Sequence, residues 1–102
     1  MESDNAAKQL IDVEILYLLR KGSQTLYSIR RDLSNVFAED RSFGTIHPHL
    51  VKLEEKGLIK GHETHPSENG PYKRPYVITR KGRHAQERQL NLLAKVILKM
   101  TA

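Results

Sequence analysis

The residues of this sequence whose types and spacing could do chemistry are hydrogen-bonding and cationic side chains near its middle: Ser42, Thr45, His47, His49 and Lys52. They alternate with apolar residues at helical spacing, and no Asp or Glu occurs between Phe43 and Leu53. Hydroxyl, imidazole and ammonium groups hydrogen-bond to phosphates and to base edges. The pattern therefore predicts one helix face that contacts a nucleic acid.

Metal binding is an alternative role for the two histidines of this set, His47 and His49. Residues two positions apart on a helix are rotated by about 200° around its axis. The two side chains therefore cannot bind one metal ion from the same helix. As DNA contacts, imidazoles that gain a proton near pH 6.5 would add positive charge to the interface. We expect DNA affinity to rise from pH 8 to pH 6, and a flat curve would remove both histidines from the interface.

A second cationic group, Lys73 and Arg74, lies among turn residues. The segment 69–102 holds eight Lys or Arg and a single acid, Glu87. Such a segment attracts a polyanion, although basic residues also serve merely to solubilise a surface. Because the one acid near them is Glu68, we predict that Lys73 and Arg74 contact phosphates or the minor groove.

Tyr27 is a further candidate DNA contact. It lies among residues predicted to face inward, where its ring could simply fill the core, but its hydroxyl could also reach a phosphate. The neighbouring pair Arg30 and Arg31 could equally form a solvated helix face, and we do not include it among the candidates.

Enzyme chemistry has no support in the sequence. There is no Cys, no Gly-rich phosphate loop and no Ser, His and acid in a recognisable order. Without Cys there is no thiolate nucleophile, no disulfide and no Cys-based zinc site. We predict a protein that is not an enzyme and that holds no cofactor and no metal.

The length of 102 residues allows one domain, and a composition of 38% hydrophobic and 28% charged residues is typical of a globular protein. No apolar stretch approaches the ~20 residues needed to span a bilayer, and the N-terminus is acidic and polar, unlike a signal peptide. We expect a cytoplasmic protein with no membrane partner, associated with the nucleoid through DNA.

Hydrophobic periodicity predicts three helices, at about 7–21, 25–37 and 43–56. Ser23 or Thr25 can cap the second helix, and Ser42 can cap the third. Pro48 lacks a backbone donor, so it predicts an irregular start or a kink, with Thr45 as the effective cap if the helix starts late.

Residues 58–79 are predicted to form a hairpin, with extended segments at 58–64 and 75–79 and a polar tip at 65–75. Three helices, a hairpin and a last helix give a winged helix-turn-helix, mainly α with a small two-stranded β-wing. We assign residues 1–82 to a winged-helix DNA-binding domain.

Residues 83–102 are assigned to a C-terminal dimerisation helix of the same structural domain. An apolar stripe runs along it: Leu90, Leu93, Ile97 and Met100. The stripe could fold back onto the first helix, but the core is already supplied by the first three helices, and an exposed stripe is an association site. We therefore predict a homodimer, whose third helices would read half-sites about 34 Å apart.

Matches to one family extend over roughly residues 13–83. They are Ile15, Leu16, Leu19, Gly22, Tyr27, Ile29, Leu33, the run Gly44 to Leu50, Leu53, Glu54, Gly57, Leu58, Ile59, Gly70, Pro71, Lys73, Arg74, Tyr76, Ile78, Thr79 and Gly82. Through these residues the chain resembles the PadR-type transcription regulators. The resemblance implies a winged-helix fold, DNA binding, and membership of a short subgroup that pairs through its single C-terminal helix.

The chain departs from the family pattern at several positions. The family usually has Tyr where this chain has His47, and His-Gly-Tyr where it has Thr25, Leu26 and Tyr27. The second hairpin strand has Pro75 where a Tyr is common. Some members bind flat drugs or phenolics against a Trp at the dimer seam, but this sequence has no Trp. The resemblance therefore identifies no particular small-molecule effector.

These observations predict a sequence-specific DNA-binding transcriptional regulator that acts as a homodimer, with helix 43–56 in the major groove of double-stranded DNA and the wing 65–75 on the backbone or in the minor groove. Repression is favoured over activation, because a compact dimer can occupy a promoter whereas recruitment needs further surface. Two alternatives remain open: a winged-helix protein-interaction module, and a non-specific architectural DNA-binding protein.

Overall fold

The computed structural model describes residues 2–62 and 74–102. Its helices are α1 (Glu2–Arg20), α2 (Leu26–Phe37), α3 (Phe43–Glu55) and α4 (Arg80–Thr101), and its strands are β1 (Gln24–Thr25), β2 (Ile59–Gly61) and β3 (Pro75–Ile78). The expected order of three helices, a hairpin and a last helix is confirmed, and so is the mainly α winged-helix fold. Lys73 and most of the predicted wing tip lie outside the described residues.

Helices α2 and α3 begin at hydroxyl side chains that accept hydrogen bonds from the first turn. The Thr25 hydroxyl accepts from the backbone N–H of Ser28 at 3.1 Å, and the Ser28 hydroxyl is bonded to the backbone N–H of Thr25 at 2.9 Å. Ser42, and not Thr45, is the N-cap of α3. Pro48 therefore lies inside the helix, beyond its first turn, where it offers no N–H to the carbonyl of Gly44.

The sheet has three strands in the order β1, β3, β2, all antiparallel. The expected hairpin is present as β2 and β3, with Ile59 opposite Ile78 and Gly61 opposite Tyr76. On the other edge of β3, the two residues of β1 pair with Tyr76 and Pro75. The description of a two-stranded wing was therefore incomplete, because a strand of two residues has no alternating pattern and forms only through its partner.

The core lies where α1, α2, α3 and the sheet meet. It consists of thirteen buried apolar residues: Ile11, Ile15, Leu16, Leu18, Leu19, Leu26, Ile29, Leu33, Ile46, Leu50, Leu53, Ile59 and Tyr76. Phe37 and Phe43 pack against its edge. The inner faces predicted from helical periodicity are confirmed, and they fix the direction in which each opposite face points.

Helix α4 begins on this body and then leaves it. The Thr79 hydroxyl caps it by accepting from the N–H of Gly82 at 3.0 Å, and it donates to the carbonyl of Gly57 at 2.6 Å. Gly82 is buried against the backbone of Leu58, where no Cβ would fit. From Leu90 onward every residue of α4 is exposed, so its second half extends beyond the core.

Candidate nucleic-acid interface

Helix α3 turns one face into the core and presents the opposite face to solvent. The residues on the outer face are exposed: Gly44, Thr45, His47, Pro48, Val51 and Lys52. This face carries a hydroxyl, an imidazole and an ammonium group, with no carboxylate in the helix before Glu54. Because the inner face is anchored by Ile46, Leu50 and Leu53 at 0–2% exposure, the outer groups are held on a rigid element.

The first turn of α3 carries two of the predicted contacts. The N–H of Thr45 donates to the Ser42 hydroxyl at 3.2 Å, and the two hydroxyls lie 3.0 Å apart. Both residues are exposed. Ser42 therefore fixes where α3 begins, and its hydroxyl and that of Thr45 form one exposed polar group at that end of the helix.

The two histidines of α3 have separate environments. His47 is exposed on the outer face, whereas His49 Nδ1 lies 2.8 Å from Asp12 Oδ1 of α1, and its side chain is only 15% exposed. The Asp12–His49 pair ties α3 to α1 and occupies one ring nitrogen of His49. Among the residues that the structure describes, no three His, Cys, Asp or Glu side chains come together to hold a metal ion.

Tyr27 lies at the start of α2 and is not a core residue. It is 62% exposed, so the interpretation in which its ring fills the core is wrong. Its ring centroid lies 6.0 Å from that of Phe43, the first residue of α3. The contact brings the Tyr27 ring to the same end of α3 as Ser42 and Thr45.

Arg74 is bonded to protein groups at the base of the wing. Its guanidinium donates to both carboxylate oxygens of Glu54 at 3.3 and 3.4 Å, and to the carbonyls of Gly61 and His62 at 3.1 and 3.3 Å. It also lies 5.4 Å from the centre of the Tyr76 ring. The expectation that Glu68 was the one acid available to Arg74 is wrong, because folding brings Glu54 to it.

The predicted dimerisation stripe on α4 is open to solvent. Leu90, Leu93, Ile97 and Met100 are between 39% and 79% exposed. Beside the stripe, a groove of about 600 Å³ separates α1 from α4, lined by Leu10, Asp12, Val13, Lys56, Gln89, Leu92 and Leu93. No helix in the described part of the chain combines the length and the apolar character needed to cross a membrane.

Two carboxyl groups meet between α1 and the turn that precedes α3. Glu14 Oε1 is buried without a hydrogen-bond partner. Burial, followed by a side-chain hydrogen bond with Glu39 and the negative charge of Glu39, raises the pKa of Glu14 to about 7 against the opposing positive charge of Arg41. Arg41 Nε donates to Glu39 at 3.3 Å. This group contacts the turn that positions α3, and the sequence offered no local signal for it.

Comparisons with known proteins agree with this architecture. Three solved structures superpose over nearly the whole chain: a PadR-like transcription factor from Bacteroides fragilis (TM-score 0.86, 19% identity, 97% of this chain and 94% of that one), a transcriptional regulator from Clostridium thermocellum (0.75, 22%, 96% and 96%) and a PadR family transcription regulator from Clostridium difficile (0.71, 24%, 90% and 98%). At these identities the structures show a shared fold. No curated protein matches the sequence.

A comparison of the sequence with protein-family models assigns the chain to a family. The model of the PadR-like family of transcriptional regulators matches residues 15–88. That segment contains α2, α3, the sheet and the start of α4, and therefore all the candidate DNA contacts. The chain belongs to the PadR-like family of transcriptional regulators.

Proposed function

We propose that this protein is a sequence-specific DNA-binding repressor that acts as a homodimer, with α3 in the major groove and the wing on the phosphate backbone or in the minor groove. The observation that carries the proposal is the exposed outer face of α3, where Thr45, His47 and Lys52 project from a helix anchored in the core. Family membership supplies DNA-binding transcriptional regulation as the general activity.

The major groove suits this face in size and chemistry. It is about 12 Å wide and admits one α-helix, and each base pair presents donors and acceptors there in a distinct pattern. An imidazole can donate or accept at a base edge, a hydroxyl can do either, and an ammonium donates to phosphates or to guanine. We infer that His47 reads bases and that Thr45 and Lys52 contact bases or phosphates.

The other candidate contacts fall into three groups. Tyr27 and Ser42 lie at the start of α3, where they would contact phosphates and fix the register of the helix on the duplex. Lys73 would reach the backbone or the minor groove from the wing. The bonds of Arg74 to Glu54, Gly61 and His62 support a role at the wing base, with any phosphate contact made through the one guanidinium N–H that those bonds leave free. His49 would act through the position of α3.

Dimerisation is proposed through the stripe on α4, because four exposed apolar residues on a helix that extends beyond the core form an association surface. A two-fold axis would place two copies of α3 about one helical turn of DNA apart, ~34 Å. A compact dimer of this kind would repress by occupying promoter DNA. We propose no enzymatic activity and no cofactor for it.

A gel-shift titration of the wild-type protein tests the proposal, with its own upstream region compared against random duplex at two salt concentrations. Specific binding should be at least ~10³-fold tighter than random binding and should fall steeply with salt. Equal affinity for both duplexes would indicate an architectural protein instead. Absence of binding to either duplex at low salt would favour the protein-interaction module.

Variants then test the assigned face. Lys52→Ala on α3 should weaken binding about tenfold, whereas Lys21→Ala, which removes the same charge after the end of α1, should change it little. His47→Ala should lower the preference for the specific duplex over the random one. If Lys21→Ala and Lys52→Ala weakened binding equally, α3 would not be the recognition helix.

A further inference from the structure

The outer side of α2 forms a shallow cationic hollow against the start of α3. Its volume is about 300 Å³, and it is lined by Tyr27, Arg30, Arg31, Ser34, Asn35, Asp40 and Phe43. The guanidinium carbon of Arg30 lies 4.7 Å from the centre of the Phe43 ring, which also faces the Tyr27 ring. Two aromatic rings and one guanidinium therefore form a layered cluster at the first residue of α3.

Arg30 is held in place at this site. Its Nε donates to the backbone carbonyl of Arg41 at 3.1 Å, while its side chain lies over Phe43. Two fixed contacts reduce the rotamer freedom that a long cationic side chain would lose on binding a ligand. Its two terminal nitrogens, Nη1 and Nη2, take no part in these contacts and remain available as donors.

The charge of Arg30 is not neutralised by a bonded carboxylate in the part of the chain that the structure describes, and this separates it from its neighbour. Arg31 Nε donates to Asp32 at 3.1 Å. Asp40 lines the hollow but forms no ion pair with Arg30 at 4.0 Å or less. Of the two adjacent arginines, Arg30 is therefore the one with both an anchored position and an uncompensated charge.

We propose that Arg30 is a DNA backbone contact that binds one phosphate beside the first turn of α3, with the Tyr27 hydroxyl as a second donor. The inference rests on the proposed DNA binding and adds a residue to it. A planar guanidinium with two free nitrogens matches two oxygens of one phosphate, and such bonds are shorter and stronger than neutral ones. Because Arg30 belongs to α2, the contact would clamp the duplex from outside the recognition helix.

The test compares Arg30→Gln with Arg31→Gln, which lower the net charge equally from adjacent positions of α2. Gln at position 30 keeps a polar side chain and removes the charge. Affinity for the specific duplex and for random duplex is measured by fluorescence anisotropy at four or more salt concentrations. Thermal unfolding of each variant reports whether the fold is retained. Arg30→Met removes the same charge if Arg30→Gln is unstable, and Arg30→Lys is the control that keeps the charge.

Arg30→Gln should weaken binding to both duplexes by about tenfold and reduce the slope of log K against log salt by about 0.9 per protomer bound. Arg31→Gln should leave the slope near the wild-type value, and so should Arg30→Lys. A wild-type slope for Arg30→Gln, or equal losses for both Gln variants, would overturn the assignment while leaving DNA binding intact. Failure of the wild-type protein to bind any duplex would overturn the proposed function and this contact with it.

Discussion

Arg74→Ala is expected to destabilise the fold, because Arg74 joins β3 to α3 and β2. The variant loses the bonds to Glu54 and to the carbonyls of Gly61 and His62, which measure 3.1–3.4 Å. A hydrogen bond to a charged group contributes about 1.5–3 kcal/mol, but exposed ion pairs contribute about 1 kcal/mol or less. Since the Arg74 and Glu54 side chains are 36% and 32% exposed, we expect a loss of about 1–2 kcal/mol.

Such a loss corresponds to a fall in Tm of about 5–10 °C for a domain of this size. Thermal and urea unfolding followed by circular dichroism would measure it, with Arg83→Ala as a control that removes the same charge from an exposed position of α4. The pair with Glu54 is isolated by a double-mutant cycle of Arg74→Ala and Glu54→Gln. We expect a coupling energy of about 1 kcal/mol.

Two results would refute this reasoning. An unchanged Tm in Arg74→Ala would mean that the bonds to Glu54 do not hold the wing base. If the losses of unfolding free energy in Arg74→Ala and Glu54→Gln simply added in the double variant, the ion pair between Arg74 and Glu54 would not contribute to stability. If, in addition, the salt slope of DNA binding fell by about 0.9 per protomer at unchanged stability, Arg74 would be a phosphate contact and not a support of the wing.

Three further perturbations have defined outcomes. Because the folded-state pKa of Glu14 is raised to about 7, wild-type stability should fall as the pH rises from 5 to 8. Glu14→Gln should therefore raise the free energy of unfolding by about 1 kcal/mol at pH 8, after discounting for solvent screening, and change it little at pH 5, as measured by urea midpoints. Gly82→Ala should lower the unfolding free energy by about 3 kcal/mol, because a Cβ there collides with the backbone before β2, and denaturant unfolding would show it. Ile97→Lys should convert dimers into monomers in sedimentation velocity, since it places a charge in the apolar stripe; dimers that persist at micromolar concentration would exclude α4 as the interface.

Local signals predicted the helices and their faces. A hydroxyl side chain before an apolar run placed the start of α3 at Ser42 and limited the start of α2 to Ser23 or Thr25, because the capping bond lies within three residues of sequence. In the structure the N-cap of α2 is Thr25. The inner faces followed from helical period, since burial of one stripe fixes the rest of the helix. For the same reason the outer face of α3 could be assigned before its surroundings were known.

Contacts between distant residues had no such signal. The pairing of β1 with β3 joins Gln24 to Tyr76, and no pattern in a two-residue segment indicates it. The bond between Asp12 and His49 spans 37 positions, and nothing in either segment marks its partner. Two of the predicted contacts, His49 and Arg74, were therefore placed by residue type alone, and folding gave each of them a carboxylate neighbour.

The lack of a signal for distant contacts matters most for charge. A sequence gives the number of cations, but it does not show which of them remain without a bonded carboxylate after folding. The excess of positive residues lies in the C-terminal third of the chain, yet α3 and α2 carry the exposed Lys52 and Arg30 with no bonded carboxylate in the described structure. A polyanion responds to the field that remains once ion pairs have formed. Setting aside paired cations such as Arg74 and Arg31 leaves Lys52 on α3 and Arg30 on α2, but it also leaves six exposed lysines and arginines of α4 that form no ion pair in the described structure. Pairing therefore narrows the set of candidate cations, and the exposed outer face of α3 is what selects among those that remain.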